Sequence, residues 1–206
     1  MAHEHRKVSL GFTDQTFPVG VHICQIFNDD EERLRSLLDY LRSGLEAGER
    51  TACFTEKLDD AQFSAHLAEH GLSYDQAKSS GAFTRAGTSE VYFQDGRFDP
   101  ERMLSLLRAY HADSIASGYP AARVIGEMTS EVQQIPGGSR LMEYESRVSM
   151  LLKECPVTAV CQYDANAFDG ATIMQVLKVH PLMVVRGAVV HNPFYIPPEE
   201  FLAQRH

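Results

Sequence analysis

One stretch, Gly20 to Lys57 (GVHICQIFNDDEERLRSLLDYLRSGLEAGERTACFTEK), restricts the fold more than any other. Val21 to Phe27 is an apolar run of strand length, Asn28-Asp29-Asp30 can cap a helix, and Leu34, Leu37, Leu38, Leu41 and Leu45 recur at helical spacing. Gly48 stands where a helix ends in a left-handed residue, and Arg50 to Thr55 is a second strand-like run. A strand-helix-strand crossover of this kind joins parallel strands. It predicts an α/β fold, a mostly parallel sheet with helices on both faces.

The turn inside this unit carries a functional message. A nucleotide-binding turn at this place needs glycines whose amides cradle phosphate and a lysine that reaches it. Asn28, Asp29, Asp30, Glu31 and Glu32 supply neither, and their carboxylates repel phosphate. The same acids suit a helix N-terminus, where they oppose the macrodipole. The turn therefore reads as a good helix start and a poor phosphate site.

A chain of 206 residues with 44% hydrophobic content can bury one core without dividing. Its net charge of -9 argues against nucleic acid as the main partner, since phosphate-backbone affinity comes from lysine and arginine. No apolar stretch is long enough to span a bilayer, and MAHEHRKVSLGFTDQ lacks the apolar core of a signal peptide, so a cytoplasmic location is expected. Cys24, Cys53, Cys155 and Cys161 lack the close pairing of a zinc ribbon or redox motif and read first as buried thiols.

Residues 1 to 17 are polar and are expected to be a loosely ordered lead-in to a domain over 18 to 206. Further on, helices are predicted after Asp59-Asp60 with Phe63 and Leu67 inward, over Ser73 to Ser79, from Asp99-Pro100 to Gly118, over Arg140 to Glu154 and over Gly170 to Val179. Strands are predicted over Ala82 to Thr88, Arg123 to Met128 and Val157 to Tyr163. Leu182 to Arg186 and Ala188 to His191 read as a C-terminal antiparallel hairpin around Gly187. Ser89 to Phe98, with an Asp-Gly turn and no periodicity, is expected to be a long loop and the mobile element of any switch.

Open α/β sheets bind ligands beyond the carboxyl ends of their strands. That edge would gather Asn28, Glu56, Glu127, Thr129, Tyr163 and Asp164. Glu127 ends an otherwise apolar run, so its carboxylate needs either an internal donor or a ligand. His22 and Cys24 alternate onto one face of the first strand, as Cys161 and Tyr163 do on a later one. His22, Cys24, Cys161 and His180 are donors that suit zinc or iron, but they lack compact spacing, so the sequence assigns no metal site and no catalytic residue. Phe27, Phe93, Met128, Tyr163, Phe168 and Met174 could line an apolar pocket or simply fill the core.

The blocks HICQIFNDDEE, GLEAGER, DGRFDPERM, VIGEMTS, EYESR, CQYDANAF, HPLMV and NPFYIPPEEF, in that order, resemble the DcmR-type sensory domain family (MEDS) across nearly all of the chain. The resemblance implies a three-layer α/β/α fold akin to the RecA and KaiC ATPases, without their phosphate loop. It also implies a non-enzymatic role in signalling, with His22, Cys24, Glu127, Glu145, Cys161, Tyr163, His180 and Asn192 as family-like positions. Family members are found joined to DNA-binding helices or histidine-kinase modules, and no such segment lies outside the matched blocks.

The expected function is thus a sensor that binds a small organic ligand through His22, Cys24, Glu127, Met128, Cys161, Tyr163 and His180. Its output would pass to a separate histidine kinase or transcription regulator, or through its own oligomer. The alternatives are a KaiC-like ATP-binding regulator and a metal- or thiol-dependent enzyme. The cofactor is left open.

Overall fold

A computed structural model describes residues 6–204. The first two elements, β1 (Lys7–Ser9) and β2 (Thr16–Pro18), pair antiparallel as a small ribbon. Its Val8 and the following Leu10 are buried, Leu10 within the cluster built around the first long helix. The described part of the lead-in is therefore paired and packed, where the polar composition suggested loose order. Residues 1–5 of that segment lie outside the described residues. Phe12 and Phe17 pack against the same cluster, so the ribbon meets an existing core and does not have to build its own.

The crossover predicted from Gly20 to Lys57 is present as β3 (His22–Phe27), α1 (Asp30–Glu46) and β4 (Arg50–Phe54). Asp29 caps α1 by accepting from the amide of Glu31, and Asp30, Glu31 and Glu32 fill the first turn. Next come α2 (Asp60–Glu69), α3 (Tyr74–Ser79), β5 (Phe83–Ala86) and α4 (Thr88–Tyr92). The long loop expected over Ser89 to Phe98 is thus largely helical, with a 3-10 turn at Gln94–Gly96 after α4. Tyr92 and Phe98 are buried, and the Arg102 guanidinium donates to the carbonyls of Val91 and Tyr92 at the end of α4. A five-residue helix with only one side buried leaves no periodicity to read.

The second half comprises α5 (Pro100–Ala116), β6 (Ala122–Met128), α6 (Leu141–Glu154), β7 (Val157–Asp164), α7 (Gly170–Val179), β8 (Leu182–Val185), β9 (Ala188–His191) and α8 (Pro198–Ala203). Seven strands form one sheet in the order β5-β4-β6-β7-β3-β8-β9. Every pairing is parallel except β8 with β9, the C-terminal hairpin. The core is split by the sheet. On one face α1, α2 and α3 cover Ile23, Cys53, Ile125 and Val160; on the other α5 to α8 cover Cys24, Val124, Ala159 and Tyr163. This is the three-layer α/β/α architecture with a C-terminal antiparallel hairpin.

One buried ion pair ties the α1 layer to the sheet. Arg123, the second residue of β6, is fully buried, with Nε 2.7 Å from Glu49 Oε2 and Nη1 donating to the Tyr40 carbonyl at 3.0 Å and to Ser43 Oγ at 2.9 Å. The guanidinium also lies over the Tyr40 ring. Gly44 makes room for it: a Cβ there would come within 2.7 Å of Arg123 Nε and 2.6 Å of the Thr51 methyl. Removing one partner of such a pair strands the other charge in the interior. Glu49→Ala is therefore expected to lower stability by about 3–5 kcal/mol in urea unfolding. Glu154→Ala, which breaks the exposed pair with Arg108, is expected to cost less than about 1 kcal/mol.

Candidate functional site

Alternation along the strands sends neighbouring residues to opposite layers, and it divides the expected site in two. His22, Cys24, Met128, Cys161 and Tyr163 face the α5 to α8 layer, where His180 also lies. Glu127 points the other way, toward α1. Its carboxylate accepts from Thr55 Oγ1 at 2.7 Å, meets Lys57 Nζ at 2.7 Å and has Arg33 Nη1 at 3.9 Å. Glu127 thus has internal donors, and it does not join the other expected ligand residues. This charged knot, with Asp30 3.7 Å from Lys57, is what occupies the carboxyl ends of β3, β4 and β6.

The second set gathers away from the strand ends, because His22 is the first residue of β3 and His180 precedes β8. Its hub is Glu145, on α6. Glu145 Oε2 lies 3.3 Å from His22 Nε2, 3.6 Å from His180 Nε2 and 3.7 Å from Cys161 Sγ, and Cys161 Sγ is 3.5 Å from His22 Nε2. Each of the four residues places one ligand atom within 4.8 Å of the others. His22, Glu145 and His180 are buried, while the Cys161 residue keeps partial exposure. Of the expected residues, Cys24 and Met128 stay outside this contact set as core side chains.

The far side of each imidazole fixes its tautomer. The Ser149 hydroxyl donates to the Val179 carbonyl at 3.2 Å, which leaves its oxygen to accept from His22 Nδ1 at 2.8 Å. His180 Nδ1 donates to the Val176 carbonyl at 2.8 Å. In their neutral forms both imidazoles, with the proton on Nδ1, turn an Nε2 lone pair toward Glu145, and His22 Nε2 donates to the carboxylate once that ring carries a second proton. His180 Nε2 is buried and has no hydrogen-bond partner. Tyr163 donates to the other carboxylate oxygen of Glu145 at 2.6 Å, and Asn192 Nδ2 holds the His180 carbonyl at 2.8 Å.

The electrostatics follow from this packing. Burial and the neighbouring His22 push His180 down to about 3, so it is neutral at physiological pH. Burial by itself raises Glu145, but the hydrogen bond from His22, with His180 and Tyr163 adding to it, outweighs that and keeps the carboxyl below its usual range. Burial and Glu145 hold the Cys161 thiol well above its usual value. The direction that stands for this coupled set is an ionised carboxylate beside a neutral His180. Lone pairs of nitrogen, oxygen and sulfur thus converge on one point, and the arrangement calls for a proton or a metal ion between them.

Glu145 was legible in the sequence. Leu141, Tyr144, Val148 and Leu152 mark the inward stripe of α6, and Glu145 and Ser149 fall on the same stripe at helical spacing. A carboxylate on a buried stripe signals an internal partner as strongly as one at a strand end. Among the described residues a further group, His66, Glu69 and His70, brings donor atoms together on α2.

A parallel sheet sandwiched between helices, with acids at the turn where a phosphate cradle would lie, defines a RecA-like scaffold whose polar centre is buried on the opposite face. Among solved structures the chain is similar to the flagellar accessory protein FlaH of Methanocaldococcus jannaschii, with a TM-score of 0.60 and 10% identity over 89% of this chain and 83% of that one. It is likewise similar to a KaiC-like protein of Pyrococcus horikoshii, with a TM-score of 0.58 and 14% identity over 86% and 79%. These likenesses establish the fold. Residues 21–181 match the model of the methanogen/methylotroph, DcmR sensory domain, and the chain belongs to that MEDS family. It is 25% identical over 160 residues to the transcriptional repressor DcmR of Methylorubrum extorquens, covering 77% of this chain and 57% of that protein. The chain thus spans a little over half the length of this curated relative.

Burial separates the thiols. Cys24 and Cys53 are pushed up to about 12 by burial, so the native protein at pH 8 holds them as inert thiols. Titration with a chromogenic disulfide is expected to count Cys24 and Cys53 only after denaturant is added. Their rapid reaction in the native state would show that these strands open.

Proposed function

We propose that this chain is a non-enzymatic, cytoplasmic sensory module whose receiver is the Glu145 centre, loaded with a divalent ion of the zinc class. The observation that carries this reading is a match of distances. Ligand atoms bonded to a tetrahedral zinc at about 2.0–2.3 Å stand about 3.3–3.8 Å apart. Four of the six separations in the centre, from 3.3 to 3.7 Å, fall in that interval, and the other two are within 4.8 Å. His22, His180, Cys161 and Glu145 would be the ligands. Ser149, the Val176 carbonyl and Tyr163 would orient them from behind. The ion would displace the Cys161 proton, and with four protein donors the site resembles a closed centre more than a catalytic one.

Sensory-family membership and a repressor relative support a regulatory role. The ligands come from β3, β7, α6 and the start of the β8 hairpin, so occupancy of the centre stabilises the packing of these elements on one another. That difference would be read by a separate transcriptional regulator or histidine kinase. A small organic molecule is a second candidate signal, favoured by its own observation. A cavity of about 310 Å³ lies between α4 and α5, lined by Phe54, Val91, Met103, Leu107, Tyr110 and Val124. Its volume and apolar walls suit such a ligand.

Metal analysis of untagged protein purified without chelator tests the centre. The wild-type chain is expected to carry about one ion, and His22→Ala and Cys161→Ser to lose it. Tyr163→Phe is expected to weaken zinc binding by about 10–100-fold without abolishing it. Wild-type protein that takes up no zinc, cobalt or copper after reconstitution would remove the receiver from this reading.

A further inference from the structure

A second donor cluster lies on the other side of the sheet, where α2 packs on α1. His66, Glu69 and His70 sit at the C-terminal end of α2, one turn apart, and each offers one ligand atom within 4.8 Å of the other two. The two imidazole rings stand with centroids 5.1 Å apart. From α1, Asp39 Oδ1 approaches His66 Nε2 at 3.5 Å. Residues i and i+4 on a helix share a face, which is why a histidine pair at this spacing can chelate one ion.

Two features separate this cluster from a scatter of surface polar groups. The Nδ1 of His70 donates to the His66 carbonyl at 2.9 Å, which fixes its tautomer and leaves the Nε2 lone pair free. His66 Nε2 is buried as an atom and has no hydrogen-bond partner. Asp39 also accepts from Arg42 Nη2 at 3.5 Å, while Nη1 of that guanidinium makes the shorter contacts to Glu46, at 2.7 and 2.8 Å. Burial holds His66 below its usual value, against the pull of Asp39 and Glu69 and with His70 and Arg42 adding to the shift. The C-terminal end of the helix macrodipole adds a potential that favours a cation.

We propose that His66 and His70, with Glu69 as carboxylate ligand and Asp39 of α1 beside His66, form a second divalent transition-metal site, open to solvent, at the end of α2. Imidazole and carboxylate donors without sulfur suit zinc, nickel or copper(II) and give no preference for the softer monovalent ions. The exposed side of the site leaves room for water as a remaining ligand. The inference does not depend on the Glu145 centre, which lies across the sheet and uses a thiolate.

Cobalt(II) and zinc titrations of the untagged full chain test it, in a background with His3→Gln and His5→Gln so that the amino-terminal histidines do not compete. Cobalt at the α2 site is expected to give weak ligand-field bands without the thiolate charge-transfer band that the Cys161 site would add. His70→Gln, a change at an exposed position, is expected to lower zinc affinity at this site by about tenfold or more. The same change is expected to abolish the rise in melting temperature that zinc binding at this site produces. Glu69→Gln gives a smaller loss in the same direction. If the thiolate band never appears but the sulfur-free ion still binds and is lost in His70→Gln, the α2 site stands and the buried receiver fails. Equal zinc stoichiometry and affinity in the parent, His66→Gln and His70→Gln proteins would overturn the α2 site.

Discussion

Carboxylates sealed inside a protein must find a counter-charge, and this structure answers that demand in three ways. Glu49 is matched by Arg123, a fixed cation of the same chain that also meets Tyr40 and Ser43. Glu127 is matched by a half-exposed lysine, a threonine and a nearby guanidinium. Glu145 has a phenol and two imidazoles as its neighbours. The first two acids are closed off by covalently attached cations. Among the three, only Glu145 is left with partners that can be charged or neutral, and this is what makes its surroundings responsive to a proton or an ion.

The scaffold explains why these solutions do not interfere. A parallel sheet covered on both faces keeps its two layers apart, and strand alternation decides which layer each side chain enters. Glu127 and Met128, adjacent in β6, end in different chemical worlds, one in a charged knot under α1 and the other in the apolar packing under α6. The carboxyl ends of the strands, where folds of this layout bind nucleotides, are here filled by Asp30, Arg33, Lys57 and Glu127 bonded to one another. The helix end that elsewhere holds phosphate is capped by its own Asp29.

Much of this was legible in the chain. The crossover from His22 to Phe54, the hairpin at Gly187 and the helices of the second half follow from periodicity and capping residues, because each rests on contacts local in sequence. The helix at Thr88–Tyr92 was missed because five residues cannot display a period, and the β1–β2 ribbon because its anchors, Val8 and Leu10, stand in polar surroundings. In the candidate centre, His22, Cys161, Tyr163 and His180 come together as grouped from the sequence, while Cys24, grouped with them by alternation, donor type and family resemblance, packs in the core. Glu145 entered only through family resemblance, although its place on the inward stripe of α6 was there to be read.

Alternation and spacing, properties of one strand or one helix, were determined by the sequence itself: a covered parallel sheet, an acidic turn unsuited to phosphate, and polar residues on buried faces. The tertiary structure alone decided which of those polar residues meet. His22 and Cys161 are 139 positions apart, and their contact depends on β3 and β7 lying side by side in a register set by the whole sheet. Strand order is a global packing outcome. No local pattern encodes it, and the convergence of nitrogen, sulfur and oxygen on one buried point exists only once that order is fixed.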